Sequence, residues 1–153
     1  MKILHMSLDT FNSNFSQTDL SNTVIISFAK GLKLKEKYNV LYLKKILEGD
    51  FNPLPFGYKH FNKKDAKKIF NFLDNKSFNT IYCVCDIGIC RSFSVAISLC
   101  YTYNLDYKNY MLNNNGYPDK NIITCLTNEN FFNEINTICK SKPKNLNLNN
   151  LFN

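Results

Sequence analysis

Residues 80–101 read Thr-Ile-Tyr-Cys-Val-Cys-Asp-Ile-Gly-Ile-Cys-Arg-Ser-Phe-Ser-Val-Ala-Ile-Ser-Leu-Cys-Tyr, and they contain the strongest structural signals of the chain. Its first part, 80–84, is rich in β-branched and aromatic residues, which predicts a buried strand. Its last part, 92–101, is largely apolar and long enough for a helix packed in a core. Gly88 lies between them, where a tight loop needs a residue without side-chain constraint. A strand, a glycine-bearing loop and a helix N-terminus together direct successive main-chain amides at an anion.

Arg91 is the only arginine of the chain, and it lies six positions after Cys85. A lysine is a point charge, whereas the planar guanidinium donates paired hydrogen bonds to two oxygens of one phosphate. A thiol one short loop before that guanidinium indicates covalent phosphate chemistry. In this hypothesis the thiolate of Cys85 attacks phosphorus and forms a cysteinyl-phosphate that water later hydrolyses. Arg91 holds the equatorial oxygens and follows their charge into the transition state.

The loop between the strand and the helix is the predicted phosphate-binding segment. Its main-chain amides belong to Asp86, Ile87, Gly88, Ile89, Cys90 and Arg91. Simpler interpretations stay open: Cys85 as a buried core thiol, and Arg91 as an ordinary helix-start arginine in an ion pair. Helix N-termini disfavour cations, which weakens the second of these. Cys90 lies close enough to Cys85 in sequence to form a protective disulfide under oxidation.

Length and composition indicate one domain, residues 1–140, followed by a tail, 141–153, that is rich in Lys and Asn and predicted to be poorly ordered. The chain has 153 residues, of which 44% are hydrophobic and 13 are phenylalanines, enough to build a core. No segment is long and apolar enough to span a bilayer. Residues 1–7 lack the hydrophobic stretch of a secretory signal. We therefore expect a cytoplasmic monomer.

The chain contains six cysteines, which we interpret as reduced thiols of a cytosolic protein, several of them buried. A metal site built from Cys83, Cys85 and Cys90 is an alternative. Pairs of the C-x-x-C type are missing, however, which disfavours zinc. We expect neither a metal nor a cofactor.

A formal net charge of +7 favours anionic partners without identifying one. Four lysines form a basic group, Lys63, Lys64, Lys67 and Lys68. They lie beside an apolar stripe with helical spacing, formed by Ala66, Ile69, Phe70 and Leu73. A solvated helix face is the favoured interpretation of these lysines, and a nucleic-acid surface is the less favoured one.

The remaining patterns predict an α/β domain. Strands are predicted at Thr23 to Phe28, Asn39 to Leu43 and 79–84, and the Gly- and Pro-containing stretch from Lys44 to His60 is predicted to be a long loop. Helices are predicted at 62–76, with Asn62 as its cap, and at 92–103, 106–113, 119–128 and 129–140. This alternation favours a central, mostly parallel sheet of four to five strands flanked by helices. The phosphate-binding segment then lies at the carboxyl end of a strand.

The segment from Thr80 to Ala96 resembles the signature of cysteine-dependent protein tyrosine phosphatases, specifically their compact dual-specificity branch. That signature is Cys, five residues, Arg, then Ser or Thr, and Cys85, Gly88, Arg91 and Ser92 match it. The pattern is most similar to small phosphatase-like proteins of bacteria and phages, and it covers roughly residues 23 to 128. The resemblance implies a phosphotyrosine phosphatase-like fold. It also implies a phosphoprotein substrate carrying phosphotyrosine, with phosphoserine and phosphothreonine as further candidates.

The same resemblance implies roles for further residues, and two positions depart from the family's usual pattern. Ser92 would hydrogen-bond the sulfur and ease its departure in the second step. Asp50 is the best match to the general acid, with Glu48 as the alternate. Val84 stands where the family usually has a histidine that orders the loop, and Cys90 stands where a small hydroxyl residue is common.

Two other functions remain open at this point. A pseudophosphatase would bind phosphoproteins through the same loop without turning them over. An enzyme of this branch acting on RNA 5′ ends or on inositol lipids is also compatible with the basic charge. A sulfurtransferase fits less well, because the Arg91-Ser92 ending suits phosphate better.

Overall fold

The central sheet has four parallel strands, in the order β1-β6-β2-β3. Their bounds are β1 Lys2–Ser7, β2 Thr23–Ser27, β3 Asn39–Tyr42 and β6 Thr80–Cys85. The structure is a computed structural model, which describes residues 1–15, 19–34, 38–49, 52–74 and 76–141. The predicted α/β class, with a parallel sheet of four to five strands flanked by helices, is confirmed.

Both faces of the sheet are covered, and β6 shows why. Its side chains alternate: Ile81, Cys83 and Cys85 belong to one apolar cluster, whereas Tyr82 and Val84 belong to another on the opposite face. A strand that is buried on both faces loses the polar alternation of a surface strand and is apolar throughout. The strand was predicted from this apolar pattern in residues 80–84.

Six helices are described. They are α1 Leu8–Phe15, α2 Lys63–Asp74, α3 Arg91–Thr102, α4 Tyr107–Asn113, α5 Lys120–Leu126 and α6 Glu129–Ser141. The bounds of α2 to α6 agree with the predicted helices to within a few residues. Asn62 caps α2 as expected, because its Oδ1 accepts a hydrogen bond of 2.9 Å from the amide of Lys64. Helix α3 is the central one and packs on β1, β6, α4 and α5.

The predicted apolar stripe of α2 is confirmed at Ala66, Ile69 and Leu73, which are buried, while Phe70 is half-buried. The four lysines of α2 are exposed, in agreement with a solvated face. None of the helices within the described ranges is long and apolar enough to cross a membrane. The predicted tail begins at Ser141, which is the last residue of α6, and its remainder, 142–153, lies outside the described residues.

The N-terminal strand and helix were not predicted. Strand β1 pairs with β6 over its whole length, from Lys2 opposite Thr80 to Ser7 opposite Cys85. Only Ile3 of this edge strand is fully buried, so its hydrophobic signal is weak. The chain then enters α1 without a loop, and the Ser7 hydroxyl caps that helix by accepting a 3.0 Å hydrogen bond from the amide of Thr10.

The prediction of a loop from Lys44 to His60 was wrong in part. Two short strands, β4 (Ile46–Leu47) and β5 (Lys59–His60), pair in parallel within it. Strands of this length carry no periodic signal, and the glycines and prolines between them mask it further. The pairing matters for the site, because it places the segment 46–49 beside the start of α3.

Candidate active site

Cys85 is the last residue of β6, an inner strand of the sheet, and its side chain is buried. Its Sγ accepts a hydrogen bond of 3.2 Å from the main-chain amide of Gly88. The same sulfur lies 3.1 Å from the Oγ of Ser92, in the first turn of α3. The thiol therefore lies at the base of the loop between the strand and the helix, within reach of both a main-chain donor and a hydroxyl.

Gly88 is required by its surroundings. It has φ of +86°, and a Cβ built on it would lie 2.3 Å from the main-chain nitrogen of Ser7. No other residue has space there. On its other side the loop is held by Tyr117, whose amide donates a hydrogen bond of 2.7 Å to the Ile89 carbonyl. The loop thus rests between the end of β1 and the turn before α5.

Arg91 is the first residue of α3, and only 13% of its side chain is exposed. Its guanidinium makes three hydrogen bonds: Nε to Glu48 Oε2 at 3.2 Å, Nη1 to the Ile46 carbonyl at 3.0 Å and Nη2 to Asp86 Oδ2 at 2.7 Å. The ring of Phe28 lies 5.8 Å away. The guanidinium therefore lies between the loop and the β4 segment.

These contacts favour the charged form of Arg91. Burial alone would lower its pKa, but the hydrogen bond to Asp86 and the nearby groups of Cys85 and Glu48 outweigh burial and raise the pKa of Arg91. Cys85 ends β6 and Arg91 begins α3, so the two residues singled out in the sequence lie at the two ends of one loop.

Asp86 and Ile87, at the tip of the loop, are exposed, whereas Gly88 is buried and Ile89 and Cys90 are half-buried. Cys90 immediately precedes α3. Burial is the main cause that raises its pKa to about 12, helped by the negative charges of Glu48 and Asp119 and opposed by Arg91. Cys90 is therefore a protonated thiol at neutral pH, unlike a reactive cysteine.

Cys83, Cys85 and Cys90 are free cysteines in the structure. The disulfide between Cys85 and Cys90 under oxidation stays a prediction. Cys83 is buried within β6, and burial raises its pKa well above the usual value. Across the described ranges, no three side chains of the metal-binding types come together as a ligand group. Val84 lies on the opposite face of the sheet from Cys85, packed with Phe11 and other apolar side chains.

Asp50, the first candidate for the general acid, lies outside the described residues. Glu48, the alternate, accepts the hydrogen bond from the Nε of Arg91. Its carboxylate therefore orients the guanidinium.

The sequence did not reveal the role of Asp119, which is 4% exposed. Its Oδ1 caps α5 by accepting a 3.0 Å hydrogen bond from the amide of Ile122, and its Oδ2 accepts one of 2.7 Å from the amide of Gly49. Its own amide donates to the Oγ of Ser94 at 2.7 Å. Asp119 thus ties together α5, α3 and the segment that carries Glu48. An aspartate before a helix predicts a helix cap, but the sequence does not indicate its hydrogen bonds to distant residues.

A cleft of about 300 Å³ opens beside Arg91. Its walls are formed by Phe28, Lys30, Lys44, Lys45, Ile46, Leu47, Tyr58, Asp86 and Arg91. A second cleft, of about 280 Å³, lies behind Cys90 and includes Glu48, Gly49 and Asp119.

No family model and no curated protein sequence matches this chain. Among solved structures the chain is similar to the crystal structure of PTPMT1, with a TM-score of 0.47 and 12% sequence identity over 92% of this chain and 96% of that chain. At this degree of similarity the roles of individual residues rest on the geometry of the site alone.

Proposed function

We propose that the protein is a cysteine-dependent phosphatase of the dual-specificity type that hydrolyses phosphate monoesters through a cysteinyl-phosphate intermediate. The main support for this function is one arrangement of residues. A buried thiol at the carboxyl end of an inner parallel strand accepts a hydrogen bond from the Gly88 amide and lies within hydrogen-bonding distance of the Ser92 hydroxyl, while a guanidinium begins the next helix. Carboxyl ends of parallel strands and helix N-termini are where α/β proteins bind phosphate.

In the first step the thiolate of Cys85 attacks phosphorus, and the bond from phosphorus to the leaving oxygen breaks. The Gly88 amide and the N-terminus of α3 stabilise negative charge on the sulfur. The loop amides from 86 to 90 surround the phosphate oxygens, because such a run of N–H groups forms an anion site.

Arg91 binds the transferred phosphoryl group in this proposal. A guanidinium has five N–H donors. Three of its hydrogen bonds are made within the protein, so it retains donors for phosphate oxygens. Glu48 and the Ile46 carbonyl hold the guanidinium in place, and donors fixed in advance are the condition for strong electrostatic catalysis.

In the second step water attacks the phosphorus of the cysteinyl-phosphate and the sulfur leaves. The Ser92 hydroxyl, 3.1 Å from the sulfur, donates to the departing thiolate. We assign the general acid of the first step, and the base of the second, to Asp50. We propose phosphotyrosine in phosphoproteins as the principal substrate, because a phenol leaves with less help from an acid than the alkoxide of phosphoserine does.

Hydrolysis of p-nitrophenyl phosphate by the wild type, Cys85→Ser and Cys90→Ser tests this function. We expect release of p-nitrophenol by the wild type, loss of activity in Cys85→Ser, and retention of most activity in Cys90→Ser, since Cys90 is a protonated thiol of the same loop. A wild type that binds a phosphotyrosine peptide but releases no phosphate would contradict the enzyme and favour a phosphate-binding pseudophosphatase.

A further inference from the structure

His5 belongs to the edge strand β1, and its imidazole makes two hydrogen bonds to residues outside the sheet. The Nε2 atom lies 3.2 Å from the carbonyl oxygen of Asn115, and the Nδ1 atom lies 2.6 Å from the hydroxyl of Tyr110. A carbonyl oxygen only accepts, so Nε2 carries the proton, and Nδ1 of the neutral ring accepts from the Tyr110 hydroxyl. The imidazole is therefore fixed at both nitrogens, with its donor directed at Asn115.

Asn115 lies in the turn before α5, and this turn reaches the phosphate-binding segment two residues later. There the amide of Tyr117 donates a hydrogen bond of 2.7 Å to the carbonyl of Ile89. The 115–117 turn is thus held by His5 at one end and holds the loop at the other.

Strand β1 also contacts the loop directly, through its last residue. A Cβ on Gly88 would lie 2.3 Å from the main-chain nitrogen of Ser7, which comes two residues after His5. The contacts therefore form a closed ring: strand to loop at Gly88, loop to turn at Ile89, and turn back to strand at His5. Since β1 is paired with β6 over its whole length, this ring is anchored on the sheet.

The middle of the 115–117 turn has little room to move. A Cβ at Gly116 would lie 2.2 Å from a ring carbon of Phe93, so the main chain of the turn lies directly on that ring. The Phe93 ring lies 5.3 Å from the imidazole of His5, with the two planes at 75°. A displacement of the turn toward α3 therefore has to move Phe93 as well.

The hydrogen bond from Tyr117 fixes the direction of one main-chain donor of the loop. The C=O and N–H groups of a planar trans peptide point in opposite directions. The carbonyl of Ile89 and the amide of Cys90 belong to the same peptide, so a carbonyl that faces the turn directs this amide away from it. Cys90 immediately precedes α3, and amides at a helix N-terminus are the donors that bind an anion.

We propose that His5 is a positioning residue for phosphate binding and catalysis, which acts through the 115–117 turn on the amide of Cys90. The inference rests on the proposed phosphatase function and adds to it a residue on a different strand from Cys85. A donor that is held in one direction before the substrate binds needs no reorganisation during the reaction. Without the hydrogen bond from His5, the Ile89 peptide gains freedom and its amide binds the phosphate oxygens less well.

Calorimetric titration of inorganic phosphate into the wild type, His5→Phe and His5→Gln tests this role. Phenylalanine keeps an aromatic ring but has no donor for the Asn115 carbonyl. We expect the dissociation constant for phosphate to rise about fivefold or more in His5→Phe, because hydrogen bonds to a charged group are among the stronger ones. The side-chain amide of glutamine has the missing donor, so His5→Gln should stay within about twofold of the wild type. KM for p-nitrophenyl phosphate should change in parallel.

Ile3→Val is the matched control, because it shortens a buried side chain of the same strand and leaves the imidazole in place. Urea unfolding should show a loss of stability for both Ile3→Val and His5→Phe, whereas only His5→Phe should weaken phosphate binding. Gly116→Ala disturbs the same turn from the side of Phe93 and should weaken phosphate binding too. In combination with His5→Phe its effect should be less than additive, because both act through one turn.

Wild-type phosphate affinity in His5→Phe would overturn the inference and leave His5 with a role in stability alone. Equal weakening by Ile3→Val, or a His5→Gln variant as weak as His5→Phe, would do the same. Should His5→Phe not fold, wild-type affinity in Gly116→Ala would show that the turn does not act on the loop.

The titration separates this inference from the proposed function. A wild type that binds phosphate but does not hydrolyse p-nitrophenyl phosphate would contradict the enzyme, while the affinities of the variants still decide the role of His5. A wild type that binds no phosphate would overturn both.

Discussion

The Oδ2 atom of Asp119 accepts a hydrogen bond of 2.7 Å from the main-chain amide of Gly49, and this contact joins positions 70 residues apart. Gly49 directly follows Glu48, whose carboxylate holds the Nε of Arg91 at 3.2 Å. We therefore expect the orientation of the guanidinium to depend on a buried carboxylate that does not touch it. The segment that carries Glu48 is held by a distant residue as well as by its own sequence.

Substitution of Asp119 by Asn tests that dependence. The amide side chain has one carbonyl oxygen, so it cannot accept hydrogen bonds from both Gly49 and Ile122 as the carboxylate does. We expect kcat/KM for p-nitrophenyl phosphate to fall about tenfold, since a hydrogen bond to a charged group contributes about 1.5–3 kcal/mol. Mainly KM should rise, as phosphate binding by Arg91 weakens.

Asp106→Asn is the matched control, because Asp106 caps α4 through Asn109 and has no hydrogen bond to the site. Asp106→Asn should lose little stability in urea, because Asn caps helices about as well as Asp does, whereas Asp119→Asn should lose more, because it leaves a buried amide without an acceptor. Equal kinetics for the two variants would show that Asp119 is a helix cap and nothing more.

Ser92→Ala should slow the breakdown of the cysteinyl-phosphate more than its formation, because the hydroxyl lies 3.1 Å from the departing sulfur. Stopped-flow measurement with p-nitrophenyl phosphate should then give a burst of p-nitrophenol followed by a steady rate reduced by about tenfold or more. Ser98→Ala removes a buried hydroxyl of the same helix that bonds only the Ser94 carbonyl, and it should show no burst. A steady rate equal to that of the wild type in Ser92→Ala would argue against the assigned role.

Gly88→Ala should destabilise the fold and abolish phosphate binding. Its Cβ would meet the Ser7 nitrogen at 2.3 Å, in addition to the strain of a positive φ. Gly31→Ala is the control: its φ is +92°, but nothing lies within 4 Å of the added Cβ. Urea unfolding should show a loss of about 1 kcal/mol for Gly31→Ala and clearly more for Gly88→Ala. Similar losses would mean that the loop moves away from β1 without penalty.

His5 should make stability depend on pH. Its Nδ1 lies 2.6 Å from the Tyr110 hydroxyl and its Nε2 lies 3.2 Å from the Asn115 carbonyl. Burial lowers the pKa of His5 below 6.5, despite the opposing hydrogen bond to the Asn115 carbonyl. The unfolded chain therefore binds this proton more readily than the folded chain does.

The contribution of His5 is complete above pH 6.5 and is lost as the pH falls below it, so the free energy of unfolding should be lower at pH 5.5 than at pH 7.5. Urea titrations at the two pH values measure this difference. In His5→Gln, which cannot titrate, the difference should become smaller. An unchanged difference in that variant would place the pH dependence elsewhere in the chain.

The strand, loop and helix around Cys85 could be predicted because their signals are local. An apolar strand, a glycine and an apolar helix follow one another within residues 80–101, and the structure realises all three in that order. The helix caps at Asn62, Asp106 and Asp119 are local too, since each accepts from an amide within three residues. Short-range patterns therefore determined most of the helices.

The supports of the loop could not be predicted, because they come from distant segments. Strand β1 has only one fully buried residue, yet its end meets Gly88. The pairing of β4 with β5 and the contact from Asp119 to Gly49 both join segments that are separated in the sequence and meet only in the folded protein. The assignment of the general acid to Asp50 remains a prediction, because that residue lies outside the described part of the chain.

Trapping the covalent intermediate tests the cysteinyl-phosphate mechanism without relying on any rate comparison. Ser92→Ala is mixed with p-nitrophenyl phosphate, quenched in acid within the burst and digested, and the peptides are analysed by mass spectrometry. A phosphoryl group on the sulfur of Cys85 is the predicted result. Release of p-nitrophenol with no phosphoryl group on Cys85, or with the group on another residue, would rule out Cys85 as the nucleophile.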